Sequence, residues 1–191
     1  MLRGKNVDLK LVHEKDLEKL FYELQNFSSR GEHFPLFLLS EPLFKKEFYQ
    51  SGFWTDDYRR MLVWSKEGEL VGSIFSWKVN CYSDTHELAG MVFNQDWKNR
   101  GHAAESMRIY IDYLFRAYPL MRIQATATLD NPVAQRLAEK SGMYCEGIAR
   151  KAIFLEGRHV DIKTYAVTRS DWEKGLGTIR SASDCEFQSV Q

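Results

Sequence analysis

A change from strand to helix near the middle of the chain most constrains how it can fold. The apolar run from Leu88 to Phe93 is typical of a buried strand, and a largely polar turn follows it up to Gly101. After that turn, apolar residues recur at helical spacing as far as Phe115. The first N–H groups of a helix lack backbone partners and carry partial positive charge, so this turn suits an anion such as a phosphate.

Two common phosphate-binding motifs are absent from this turn. Gly101 is not followed directly by a lysine and a serine or threonine, so the P-loop pattern is missing. The three-glycine dinucleotide fingerprint is missing as well. The identity of the anion therefore has to come from the rest of the chain.

Length and composition favour one globular domain. The chain has 191 residues, enough for a sizeable core, and 26 acidic residues balance 26 basic ones. Bulk charge therefore favours neither a nucleic-acid nor a membrane partner. Its three cysteines are widely spaced without a CxxC pair, and no stretch approaches the roughly 20 apolar residues of a membrane span. We expect a cytoplasmic protein without a metal site.

Hydrophobic periodicity predicts an α/β architecture, a mixed antiparallel and parallel sheet flanked by helices. Helices are predicted after the first strand, after Gly101 and after Asn131, which can cap a helix that begins at Pro132. The domain would span residues 1–173, with a flexible tail at residues 174–191. The predicted strands are Val7–Val12, Arg60–Ser65, Leu70–Trp77, His86–Phe93, Met121–Ala127, Ile148–Leu155 and Val160–Thr168.

Residues 27–58 are unusually rich in aromatic side chains. Pro35, Pro42 and Gly52 divide this segment into short helices and loops. One interpretation is that the aromatic side chains fill a second, smaller core. The other is that some of them line a pocket for a substrate, since binding residues concentrate in loops.

Four segments of the chain together resemble a known family. They are Glu87–Val92, Lys98–Ala103, Asn131–Met143, and a closing hairpin that contains Glu146-Gly147 and residues 157–161. In this order and spacing they resemble the GNAT superfamily of acyl-CoA N-acyltransferases, particularly its RimJ/RimL-type branch. The resemblance covers roughly Asn6 to Trp172.

The resemblance implies a GNAT fold and transfer of an acetyl group from acetyl-CoA to a primary amine by direct attack. The acceptor would be a protein N-terminal amine, or a small molecule such as a polyamine, antibiotic or metabolite. The oligomeric state stays open, with a homodimer among the options. A catalytically poor acyl-CoA-binding module is an alternative, because Ala134 and Ala138 stand where relatives carry a proton-donating serine or tyrosine.

The resemblance also implies which residues hold coenzyme A. Backbone N–H groups of residues 99–104 would bind the pyrophosphate, and His102 would either reach a phosphate or lie exposed in the turn. An N–H near Val92 would meet the developing oxyanion. The cofactor-binding candidates are Met91, Val92, Phe93, Lys98, Asn99, Arg100, Gly101, His102, Ala103, Ala104, Asn131, Ala134 and Lys140.

For acid–base chemistry the first choice of base is Glu87, on the strand that leads to the glycine turn. A half-buried carboxylate there could accept a proton directly or through a water. His86 and Asp161 are weaker candidates, and strand alternation turns His86 to the opposite face. Tyr144 is a candidate proton donor to the departing thiolate, although a tyrosine at such a position is more often part of the core.

Overall fold

Eight strands form one sheet in the computed structural model, which describes residues 1–27, 32–93, 97 and 100–175. The strands are β1 (Leu2–Arg3), β2 (Val7–Leu11), β3 (Tyr58–Ser65), β4 (Leu70–Lys78), β5 (Thr85–Val92), β6 (Arg122–Thr128), β7 (Tyr144–Leu155) and β8 (Arg158–Thr168). A 3-10 turn (Glu14–Asp16) precedes the helices, which are α1 (Leu17–Gln25), α2 (Glu41–Ser51), α3 (His102–Ala117), α4 (Pro132–Lys140) and α5 (Arg169–Glu173). The order across the sheet is β1-β2-β3-β4-β5-β6-β8-β7.

The parallel pair at the centre of the sheet is short. β5 and β6 are in register from Thr85 with Arg122 to Glu87 with Gln124. Beyond that point β5 continues beside β4, and β6 continues beside β8, both in antiparallel pairing. The two strands therefore separate after Glu87 and Gln124 and leave an opening, which we call the β5–β6 gap.

Side-chain alternation places two hydrophobic cores on opposite faces of the sheet. The main core packs Leu88 of β5 against α3, including the fully buried Tyr110 and Leu114. The second core packs Met91 of β5 with Phe44, near the start of α2, and other side chains from residues 12–62. The aromatic segment thus fills a second core, as the first interpretation held.

The predicted order of strands and helices is confirmed. α3 ends at Ala117, ahead of Pro119, and the closing hairpin turns at Glu156-Gly157, where both φ angles are positive as in a type I′ turn. β7 begins at Tyr144, earlier than predicted, because a bulge at Cys145–Gly147 interrupts its alternation. None of the helices in the described ranges is long and apolar enough to cross a membrane. The predicted tail lies outside the described residues from position 176 onward, so that prediction stays open.

His86 is buried beneath the sheet, on the face opposite Glu87. Its side chain is 3% exposed, and its Nδ1 atom has no hydrogen-bond partner among the described residues. Burial and, to a smaller extent, the nearby cations Arg59 and Lys78 lower the pKa of His86 to about 4, against the opposing effect of the carboxylates Asp57 and Asp84. The folded protein therefore holds this imidazole neutral, and His86 is part of the structure rather than a base facing the gap.

We expect this histidine to make the fold sensitive to mild acid. The unfolded chain takes up the proton near the ordinary histidine pKa of about 6.5, whereas the folded chain resists it down to a pKa of about 4. The free energy of unfolding should therefore fall as the pH drops from about 6.5 to about 4, by up to roughly 3 kcal/mol. Urea unfolding across this range would measure it, with His86→Gln as the control that lacks the titration. Parallel pH curves for the two proteins would contradict the expectation.

Candidate active site

The Glu87 carboxylate lies where β5 and β6 separate. Its Oε1 accepts a hydrogen bond from the Thr126 hydroxyl at 2.9 Å, and its Oε2 accepts one from the Gln124 side-chain amide at 3.1 Å. Both donors belong to β6 and are neutral, so they orient the carboxylate without cancelling its charge. The remaining lone pairs of the two oxygens can accept a proton.

One edge of β5 faces the gap. The N–H of Phe93 donates to the carbonyl of Val71 at 2.9 Å, so the backbone of Phe93 faces the neighbouring β4 side. Because successive residues turn their backbone groups to opposite sides of a strand, Val92 and Gly90 face the gap. Of the predicted strand residues, Val92 thus presents its N–H there, whereas Met91 and Phe93 bury their side chains in the second core.

The start of α3 offers a set of open N–H groups. The helix follows Gly101, whose φ of +83° lies in the left-handed region, and its first helical hydrogen bond joins the N–H of Glu105 to the carbonyl of Gly101 at 3.0 Å. The N–H groups of His102, Ala103 and Ala104 come before that bond, and the N-cap residue, Gly101, has no side chain to cap them. A Cβ built on Gly101 would meet no atom within 4 Å, so space is open beside these donors.

His102 is buried, which corrects the expectation of an exposed turn histidine. It is 9% exposed, and its ring centroid lies 5.0 Å from that of Trp97. Its Nδ1 atom is buried without a hydrogen-bond partner in the described part of the chain. Arg100 is exposed, and its guanidinium also lies over the Trp97 ring, with 5.2 Å from Cζ to the ring centroid. Lys98 and Asn99 fall outside the described residues.

Asn131 has the structural role that its position predicted. Its Oδ1 accepts the N–H of Ala134 at 3.0 Å and caps α4. Lys140 is exposed in the last turn of the same helix. Ala138 is 2% exposed within the main core, so the position where relatives carry a tyrosine holds packed apolar atoms here. Contacts of Asn131, Ala134 and Lys140 with coenzyme A stay predictions.

Tyr144 lies far from Glu87 across the sheet. Glu87 pairs with Gln124, Gln124 with Ala166, and Ala166 with Tyr144. Three strand spacings separate the ends of this row, which amounts to about 14 Å. The structure therefore does not bring Tyr144 beside Glu87. The weaker candidate Asp161 accepts the N–H of Lys151 at 2.8 Å within the closing hairpin.

A cavity of about 410 Å³, which we call the aromatic pocket, lies on the second-core face, and its lining includes Trp77 and Ala89, the neighbours of Glu87 across β4 and along β5. Trp77 pairs directly with Glu87, and its ring stacks on Phe75 with 5.8 Å between centroids. The loop before α2 covers the pocket, and His33 ties that loop to β6 through a 3.0 Å hydrogen bond between its Nδ1 and the Thr128 hydroxyl. The lining residues are Leu24, Phe34, Pro35, Phe37, Leu39, Phe44, Glu47, Phe53, Tyr58, Arg60, Phe75, Trp77, Ala89 and Met91.

Sequence reasoning missed the partners of Glu87 and the polar groups of the pocket. Gln124, Thr126 and Arg60 come from strands whose register the sequence does not reveal. The alternation of Gln124 and Thr126 along β6 was a signal, since it marks one polar face of an otherwise buried strand. The expectation that some aromatic side chains line a pocket matches the observed geometry.

Comparison with known proteins identifies the family. The profile of the family described as an acetyltransferase (GNAT) domain matches residues 6–144. The chain belongs to the GNAT acetyltransferase family. Among curated relatives of this acetyltransferase is the ribosomal-protein-serine acetyltransferase of Escherichia coli (strain K12). That enzyme is 24% identical over 160 residues, which cover 81% of this chain and 86% of the relative.

A further curated relative and a solved structure are also similar to this chain. The uncharacterized N-acetyltransferase YnaD of Bacillus subtilis (strain 168) is 33% identical over 103 residues, or 54% of this chain and 59% of YnaD, less than two thirds of its length. The crystal structure of spermidine N-acetyltransferase from Vibrio cholerae in complex with CoA and spermine superposes with a TM-score of 0.77. It is 20% identical and covers 89% of this chain and 99% of its own, a likeness that shows a shared fold.

The open start of α3 leads to a prediction on coenzyme A binding. We expect Gly101→Ala to weaken CoA binding by roughly 10-fold, the equivalent of losing one hydrogen bond to a charged group, because the added methyl enters the space beside the open N–H groups. Titration calorimetry with CoA would measure the change.

Gly157→Ala is the matched control for this variant. Gly157 has a similar φ of +79° and open space around a built Cβ, but it lies in the β7–β8 turn. Each alanine should cost about 1–2 kcal/mol of stability because of its left-handed backbone. If both variants bound CoA equally well, the start of α3 would not be the CoA site.

Proposed function

We propose that this GNAT acetyltransferase acetylates the α-amine of a polypeptide N-terminus, with Glu87 as the base. One observation carries the proposal. The Glu87 carboxylate, oriented by Thr126 and Gln124, lies at the mouth of the β5–β6 gap and beside the aromatic pocket. A base in that position reaches an acceptor in the pocket and a donor in the gap.

The donor side is built from backbone. The N–H groups of His102, Ala103 and Ala104 suit the pyrophosphate of coenzyme A. Arg100 supplies a nearby positive charge, with Lys98 as a further candidate for that charge and Asn99 as a candidate backbone N–H donor. In the gap, the N–H of Val92 supplies a hydrogen bond to the oxygen on which negative charge develops.

The chemistry then needs one proton acceptor beside the amine. Bound acetyl-CoA supplies an acetyl group already activated as a thioester. The acceptor nitrogen forms the new C–N bond, the C–S bond breaks, and CoA leaves as a thiolate that takes up a proton from water. Glu87 accepts the proton that the amine releases, directly or through a water. Holding both reactants next to one oriented carboxylate also removes much of the entropic cost of their meeting.

The lining of the pocket favours an acceptor that has a single amine on a largely apolar molecule. Among its described lining residues the charged ones are Glu47 and Arg60, whose charges are opposite. A polyamine would place several cations against this surface with little acidic charge to meet them, although the structural neighbour from Vibrio cholerae carries spermine. The ribosomal-protein substrate named for the Escherichia coli relative supports a polypeptide N-terminus. A small-molecule amine with an apolar body is the second candidate, which the 410 Å³ volume favours.

We expect Glu87→Gln to lower kcat by about 10²- to 10⁴-fold, the usual contribution of a positioned base, with little change in the KM for acetyl-CoA. Thr126→Val, which removes one of the two donors that orient the carboxylate, should lower kcat less. Release of free CoA thiol, followed over a panel of peptides and small amines between about pH 6 and pH 9, would measure both.

Glu173→Gln, at the exposed end of α5, is the control for a lost carboxylate at a distance from the gap. Full kcat for Glu87→Gln across this pH range would rule out Glu87 as the base. CoA binding without turnover of any amine would instead favour a catalytically poor acyl-CoA-binding module.

A further inference from the structure

The aromatic pocket contains a half-buried guanidinium, that of Arg60, which forms no ion pair among the described residues although Glu47 lines the same pocket. Nε of Arg60 donates to the Tyr58 hydroxyl at 2.7 Å, and Nη1 donates to the Ser73 hydroxyl at 3.2 Å. Both partners are neutral, and the described ion pairs do not include Arg60. A cation removed from water without a counter-charge is costly, so this arrangement calls for an explanation.

The contacts of Arg60 hold the guanidinium in place and leave donors free. Its Cζ lies 4.5 Å from the centroid of the Phe75 ring, which fixes the plane of the group over β4. Burial raises the pKa of Tyr58 despite the Arg60 charge, so its hydroxyl stays protonated. Arginine has five N–H donors, and these contacts use two of them. Among the described residues the Nη2 group therefore has no partner, and its fixed orientation suits a carboxylate.

The register places this guanidinium within reach of an acceptor that also contacts Glu87. Arg60 pairs with Phe75, Phe75 pairs with Ala89, and Glu87 lies two residues before Ala89 on the same face. The guanidinium lies between the rows of Phe75 and Ser73. One strand spacing and one or two side-chain repeats separate these rows from Glu87, or about 8 to 14 Å. The amine and carboxylate are about 3 Å apart in a free amino acid and about 6 Å apart in a peptide with an acidic second residue, so that with a hydrogen bond of about 3 Å at each end the two span about 9 and about 12 Å.

We propose that Arg60 binds a carboxylate of the acceptor, so that the enzyme prefers amines that carry a carboxylate close by and an apolar side chain. This inference rests on the proposed function and names the substrate class of the same site. In this arrangement the carboxylate of the acceptor binds Arg60, its amine lies beside Glu87, and its apolar side chain packs against the aromatic rings of the pocket. Two sources fit this chemistry, the α-carboxylate of a free amino acid and the side-chain carboxylate of an acidic second residue in a peptide.

The decisive comparison is between L-phenylalanine and 2-phenylethylamine, which differ by one carboxylate. We expect the wild-type enzyme to prefer L-phenylalanine by about 10- to 100-fold in kcat/KM, the range for one charge-assisted contact. Arg60→Met should remove most of that preference, and Arg60→Lys, which keeps the charge but loses the planar fork, should retain part of it. Arg116→Met, an exposed arginine on α3 at the opposite face, should leave the preference unchanged.

A second arm separates the two sources of the carboxylate. The peptides are Phe-Asp and Phe-Asn, both amidated at the C-terminus, so that they differ in one side-chain charge. A preference for Phe-Asp over Phe-Asn supports a peptide acceptor, and a preference confined to L-phenylalanine supports a free amino acid. Either pattern supports the role of Arg60.

Three outcomes would overturn the inference. Equal or better turnover of 2-phenylethylamine than of L-phenylalanine, together with equal turnover of the two peptides, would reject the carboxylate preference while the acetyltransferase proposal stands. If Arg60→Met lowered kcat/KM equally for acceptors with and without the carboxylate, Arg60 would have a structural role only. Failure of the wild-type enzyme to acetylate any amine would overturn the proposed function and the inference together. The wild-type comparisons hold even if the Arg60 variants fold poorly.

Discussion

The structure depends on where β5 and β6 stop pairing. A parallel pair normally continues as long as both strands do, because unpaired backbone groups are costly away from water. Here the register ends at Glu87 and Gln124, although both strands run on. At that point side-chain hydrogen bonds connect the two strands, since Gln124 and Thr126 of β6 donate to the Glu87 carboxylate of β5. The opening and its carboxylate are therefore produced by the same local arrangement.

Three features meet at this opening because each belongs to an element that ends or diverges there. β5 ends at Val92, and the turn after it leads to the start of α3 at His102, so the open N–H groups of that helix follow the strand that carries Glu87. The loop before α2 reaches β6 through the hydrogen bond between His33 and Thr128 and covers the aromatic pocket. Donor and acceptor sides therefore approach the gap from different parts of the chain, which suits a reaction between two substrates.

Local patterns predicted the elements, and long-range contacts decided the site. The turn at Gly101, the cap at Asn131 and the hairpin at Glu156-Gly157 are all readable from neighbouring residues, and all are present. The burial of His102 was not readable, because it depends on Trp97 packing over the start of α3. Arg60 was missed for a similar reason, since its pocket combines two strands with a loop distant in sequence.

The alternation of β5 also explains how one strand serves both core and site. His86 and Glu87 are adjacent, yet one is neutral and buried against the main core while the other faces the gap. A slip of one residue would exchange these two environments, placing a carboxylate in the core and an imidazole at the gap. The short pairing with β6 offers little resistance to such a slip. The antiparallel pairing of β5 with β4 runs over seven residue pairs, from Gly72 with Val92 to Lys78 with His86, and it therefore fixes the register on which both the stability and the chemistry depend.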